Sequence, residues 1–215
     1  MNLLVTAHPG TSLLDKIVWD KDTSATYTVR SFVSSYMDSK YSPSALLKLC
    51  WSSICLPKIK FCNWIVLHSR LPTCDFLTYI SGRPLDSPSC PFCIELESQN
   101  HVLLHCTLAR SVWNDLFRWL NVSMVMPFST HDFFSLWSSL GTGTHQRSFL
   151  NSLWMILVWE IWKWKNRRIF SNQDHSRDIF YSSLYLAAYL LHCRFPAFPF
   201  SVHTIICTPS SFFTL

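Results

Sequence analysis

The sequence predicts a mainly α-helical domain with a short extended N-terminal segment and one small loop that carries cysteines. Three observations lead there. The chain has only four glycines in 215 residues, too few for the many tight turns of an all-β sandwich or for glycine-rich phosphate loops. Apolar residues recur at steps of three and four through most of the chain, the period of a helix with one buried face. Hydrophobic residues make up 49% and aromatics 15%, ten of them Trp, so a packed core is expected rather than disorder.

In chain order, Ala25 to Val29 (ATYTV) is a β-like run after a polar stretch, and is expected to form a strand or extended arm. Phe32, Val33, Tyr36 and Met37 then recur at helical spacing, with Ser31 as the expected cap. Ser42 and Pro43 supply a cap and a first-turn proline for a helix through Leu46, Leu47, Leu49 and Cys50. Pro57 ends that helix and opens the next, which turns Ile59, Cys62, Trp64, Ile65, Val66 and Leu67 inward and keeps Lys58, Lys60 and Arg70 wet. Thr73, with Asp75 close behind, is expected to cap a short helix that Gly82 and Pro84 stop. Ser81 to Ser89 (SGRPLDSPS) is the strongest turn cluster in the chain. One amphipathic helix is expected over 101–120, from Leu104, Leu108, Val112, Trp113, Leu116 and Trp119. A connector with Pro127 leads to a short helix over 132–140, which Gly141 and Gly143 end as a cap and hinge. The longest helix is expected over 146–171 and the last over 174–194. Beyond it, Pro196, Pro199 and Pro209 break any helical pattern, so 196–215 is expected to be a disordered tail.

Phe149–Trp162 and Ile179–Cys193 are the most apolar stretches, and both fall short of the ~20 residues that a membrane span needs. They read as buried helices. Met1 leads into Asn2, Leu3 and Leu4 without a basic start, so no secretory leader is expected. Nine cysteines, an odd number with one tight pair, then suit a reducing compartment, cytoplasm or nucleus, better than a disulfide framework. A net charge of +5 is compatible with a polyanionic partner without demanding one.

The chemistry concentrates between Cys90 and Cys106. Cys90-x2-Cys93, followed by His101-x4-Cys106, offers four soft or borderline ligands within seventeen residues, the inventory of a closed tetrahedral Zn²⁺ site. Pro88 and Pro91 stiffen the turn, and Phe92 would shield the ion. On a regular helix residues five apart lie about 140° around the axis, whereas residues four apart share a face. Spacing therefore leaves His105 as a rival to Cys106. Three thiolates and an imidazole fill all four positions and leave no open site for an activated water. The metal is expected to be structural, with Glu97 orienting His101 through a hydrogen bond.

The matching residues Trp51, Pro57-Lys58-Ile59-Lys60-Phe61, Trp64, Arg70-Leu71-Pro72-Thr73, Asp75, Leu77, Cys90-Pro91-Phe92-Cys93, Glu97, His101, Cys106, Ala109 and Val112-Trp113 resemble, in order and spacing, the zinc-binding domain that follows the reverse transcriptase in plant LINE-type retrotransposons and ribonuclease-H-like proteins. Trp19-Asp20 and Tyr27-Thr28-Val29-Arg30-Ser31 resemble that domain's lead-in. Trp159-Glu160-Ile161-Trp162-Lys163 and Asn166-Arg167-Arg168-Ile169-Phe170 resemble the linker toward its ribonuclease H domain, where Lys165 departs from the usual Glu or Arg. The resemblance implies Cys106 as the fourth ligand. It also implies a lead-in over 1–41, the zinc-binding domain over 42–120 and a helical linker over 121–195.

Lys163, Lys165, Arg167 and Arg168, interleaved with Trp159, Trp162 and Trp164, are the candidate contacts to RNA or DNA, cations on phosphates and indoles on bases. Cations near a helix C-terminus that complement its dipole, beside core tryptophans, give the competing reading. Thirteen acidic residues with no Asp-Asp pair do not suggest the gathered carboxylates of polymerase or ribonuclease H chemistry. The chain is therefore expected to be a non-catalytic zinc-binding module without a small-molecule substrate, or else a helical interaction or vestigial protein.

Overall fold

The computed structural model describes residues 18–20, 23–32, 44–83, 88–141, 143–171 and 179–209. Among the described residues eight named helices run in order: α1 (Ala45–Ser52), α2 (Pro57–Leu67), α3 (Cys74–Ser81), α4 (Thr107–Leu120), α5 (Thr130–Ser138), α6 (Thr144–Ser171), α7 (Ile179–Arg194) and α8 (Val202–Cys207), with a π-helical turn over His101–His105 before α4. No strand occurs among the described residues; Ser89 and Leu96 form an isolated antiparallel bridge. The mainly helical expectation holds.

The chain divides into two compact units, 1–43 and 44–215. In the first, Trp19 packs edge-on to Tyr27 at 5.0 Å and lies 6.2 Å from Phe32. The β-like run does not pair; the backbone turns helical at 29–32. Its cap is Thr28 rather than Ser31: Ser31 N–H donates to Thr28 Oγ1 at 3.0 Å, and Thr28 N–H donates to Ser31 Oγ at 3.1 Å. This is the reciprocal arrangement of a capping box, with a hydroxyl in place of the usual Glu or Gln.

In the second unit α6 is the axis. Residues 149–158 are buried on every face, because α1, α2, α5, α7 and the π turn all pack against this helix. Trp154 stacks on Phe134 at 4.4 Å, and Trp113 meets Phe133 edge-on at 4.8 Å. The indole N–H of Trp113 donates to Leu103 O, and that of Trp137 to Leu150 O, both at 2.8 Å, so these rings enter the core with their polar edge satisfied. Asn63 Nδ2 donates to Met155 O at 2.9 Å, which ties α2 to α6. Among the described residues no helix is long and apolar enough to cross a membrane.

The structure refines several boundaries. Ser42 and Pro43 lie outside the described residues, and Ser44 caps α1, accepting from Leu47 N–H. Pro57 occupies the first turn of α2, and Gly82 ends α3 in the left-handed region at φ +64. The amphipathic stretch expected over 101–120 is two segments, broken at Cys106. The tail expected over 196–215 contains α8, whose Ile205 is buried, while Trp119 Nε1–H donates to Ile206 O at 2.9 Å. A single buried isoleucine in six residues gives too short a period to be read from sequence.

Candidate metal centre

The loop that presents Cys90 and Cys93 is held by its own backbone. Cys90 N–H donates to Glu95 O at 2.9 Å, Cys93 N–H to Cys90 O at 3.3 Å and Glu97 N–H to Pro88 O at 2.9 Å. A tight knuckle results, with both thiols on its inner side. Opposite it, the π turn is closed by Cys106 N–H donating to His101 O at 2.7 Å. An i→i+5 closure brings residues five apart about one turn on from each other, which an α-helix does not do. Cys106 then leaves the helix at φ −57, ψ 144.

The ligand atoms of Cys90, Cys93, His101 and Cys106 all lie within 4.8 Å of one another. Cys90 Sγ and Cys106 Sγ are 3.7 Å apart, and Cys93 Sγ is 3.0 Å from His101 Nε2. A tetrahedral Zn²⁺ with Zn–S bonds of about 2.3 Å sets neighbouring sulfurs about 3.8 Å apart, so the cluster has the dimensions of the ion. Cys90, His101 and Cys106 are buried and Cys93 is half-buried. His105 stays outside the cluster: its Nε2 is 3.0 Å from Phe128 O.

Cys90 and Cys106 share a thiol hydrogen bond. Hydrogen bonding from Cys90 holds the Cys106 thiol down to about 5. The same bond, with burial, pushes the Cys90 thiol well above the ordinary range. A metal requires both of them as thiolates, so its binding releases protons from the pair. Three thiolates and one imidazole would leave the zinc centre with a net charge of about −1 and four filled positions.

The carboxylate beside the histidine is Glu95 and not Glu97. Glu95 Oε2 lies 3.0 Å from His101 Nδ1, which fixes the ring so that Nε2 faces the thiols. Glu97 is 1% exposed and turned away: its Oε1 accepts from Cys74 N–H at 3.2 Å and pairs with Lys165 Nζ at 2.7 Å. It therefore caps α3 from a distance, a task expected of Thr73, whose side chain makes no cap bond there. The loop's irregular backbone has no period that would show which of the two carboxylates turns toward the imidazole.

The cation cluster is dispersed. Lys165 is 4% exposed, consumed by Glu97 and seated 4.7 Å from the Trp162 ring centroid. It is therefore not a nucleic-acid contact. Lys163 pairs with Glu160, Arg168 is half-buried and Arg167 is exposed. The indoles do not interleave with phosphate-binding cations, because Trp162 and Trp164 are buried and Trp159 half-buried. Trp164 instead stacks on Phe92 of the knuckle at 4.0 Å and 12°.

Residues 27–113 match the family described as zinc-binding in reverse transcriptase. All four ligands fall inside the matched segment. Comparison with curated proteins and with solved structures finds no match. The matched family and the Cys3His cluster together support a structural zinc site.

Proposed function

We propose that the chain is a non-catalytic accessory module of a LINE-type retroelement polyprotein, in which zinc staples a helical body that contacts RNA or single-stranded DNA. The observation that carries this reading is the closed donor set. Four protein ligands at tetrahedral spacing leave the metal no position for substrate or water, so its contribution is to folding. A nucleic-acid contact rests on the end of α6, where Arg167 is exposed, Arg168 half-exposed and Phe170 81% exposed. Cations for phosphate and one ring for a base are the elements of sequence-tolerant single-strand binding. This end of α6 also carries the residues similar to the linker toward a ribonuclease H domain, which favours the retroelement setting.

The test has two parts. Purified chain should carry one zinc and Cys93→Ser none. A fluorescent single-stranded RNA should bind with an affinity that falls as salt rises, and Arg167→Glu/Arg168→Glu should reduce both the affinity and the salt slope. Stoichiometric zinc without any RNA or DNA binding at low salt would leave the stapled fold and remove the nucleic-acid role. A second reading, a protein-interaction module, is favoured by the outer face of α7, where Tyr181, Tyr185 and Tyr189 are 63%, 58% and 50% exposed.

A further inference from the structure

Outside the metal centre, the positive charge of the chain is concentrated in one stretch. Residues 44–74 hold Lys48, Lys58, Lys60 and Arg70 and no Asp or Glu, a surplus of +4 in a chain of net charge +5. Lys48, Lys58 and Arg70 are exposed and Lys60 is half-buried. Among the described residues none of the four is in an ion pair with a carboxylate. The fold gains nothing from two of these positions. Lys58 and Lys60 stand in the first turn of α2, which holds no acidic residue, and there the helix dipole favours anions and disfavours cations.

Aromatic rings lie on the same surface. Phe61, Trp64 and His68 recur at steps of three and four along α2, on the side away from the buried Ile59, Cys62 and Val66. Phe61 and Trp64 are nearly parallel at 5.8 Å and 19°, and Trp64 meets His68 edge-on at 4.8 Å. Lys60 Nζ donates to Trp51 O at 2.9 Å, which sets the end of α1 beside this row. Trp51 and Phe61 are 49% and 54% exposed. A merely solvated cationic face has no use for large rings in water, and charged residues, Lys among them, are depleted where protein partners meet. Cations along a row of open rings match a polymer that offers phosphates and unstacked bases together. A duplex hides the faces of its bases, so the match is to a single strand.

We propose that the α1–α2 face binds single-stranded nucleic acid, with phosphates on Lys48, Lys58, Lys60 and Arg70 and bases on Trp51 and the Phe61–Trp64–His68 row. The inference rests on the nucleic-acid reading for its class of partner and places the contact on a surface other than the end of α6. The probe is a fluorescent oligouridine titrated against the zinc-loaded full chain at low salt. Lys58→Glu should weaken binding about tenfold or more and lower the salt slope by about 0.7, the share of one phosphate contact. A carboxylate suits the first turn of α2, so this variant should melt at or above the wild-type temperature, and its lost binding is then not lost folding. Phe61→Ala should weaken the single strand about tenfold with the salt slope unchanged, and leave binding of a duplex of the same length unaffected. Arg167→Glu/Arg168→Glu keeps the two readings apart. If that variant alone weakens binding, the α1–α2 proposal is overturned and the α6 contact stands; if Lys58→Glu and Phe61→Ala alone do, the strand lies on α1–α2 and the α6 contact falls. Weakening by both sets gives the strand two contacts. The proposal is also overturned by a duplex bound as tightly as the single strand, by unchanged binding in Phe61→Ala, or by no binding at low salt.

Discussion

Two glutamates two positions apart do different work, and single substitutions should separate them. Glu95 touches only the imidazole edge, so Glu95→Ala should fold normally and lose about 10- to 100-fold in zinc affinity, read by competition with a chromogenic chelator. Glu97 and Lys165 form an ion pair with side chains 1% and 5% exposed. Removing one member strands the other charge in the core. Lys165→Met should therefore cost about 3 kcal/mol or more in urea unfolding, and adding Glu97→Gln should recover most of that loss. The ligands themselves were legible because few residue types bind zinc and their spacing is short. Glu95 and the Glu97–Lys165 pair were not, since one depends on the turn of an irregular loop and the other joins residues 68 positions apart in sequence. Buried thiols give a further residue-scale prediction. Burial pushes Cys50 and Cys62 from 9.0 up to about 12, and Cys55 to about 11. The folded state keeps protons that the unfolded chain gives up, so the stability these thiols contribute is complete below pH 9 and lost as pH climbs through 11 to 12. Urea midpoints measured from about pH 8 upward should fall above about pH 9, with a shallower fall in Cys62→Val.

At the scale of elements, periodicity located the helices and missed the device that builds the site. A pattern of apolar residues every three or four positions reads the same through 101–120 whether or not the chain is interrupted. What interrupts it is one wide turn and one extended residue at Cys106. Those two features place a residue five positions from His101 where an α-helix would have placed His105. His105→Ala should therefore leave zinc stoichiometry and affinity unchanged, whereas Cys106→Ser should abolish tight binding. Loss of binding in His105→Ala with binding kept in Cys106→Ser would show that the turn is wound as an ordinary α-helix. The end of α3 was legible for a local reason: Gly82 sits at φ +64 with nothing within 4 Å of where a Cβ would stand. Gly82→Ala should then cost only the backbone penalty, about 1 kcal/mol, with no clash added.

For the second unit as a whole, the knuckle is a clasp between the zinc ligands and the axis helix. Phe92 stacks on Trp164, and Lys165, the next residue of α6, reaches Glu97. Metal affinity and the packing of α6 are thereby linked, and linkage is reciprocal: whatever zinc adds to the hold on α6, an ordered α6 adds to the hold on zinc. A ligand present at 1,000 times its dissociation constant stabilises a fold by about 4 kcal/mol. At about 2–4 °C per kcal/mol for a chain of this size, chelation should lower the melting temperature by about 10 °C. Trp164→Ala removes the stack without touching a ligand. If the clasp transmits the effect, this variant should bind zinc more weakly than wild type and show a smaller drop on chelation. If the knuckle folds independently of α6, Trp164→Ala should lower stability by the same amount with and without metal and leave zinc affinity where it was. Calorimetric melts of both chains, each with and without chelator, distinguish the two.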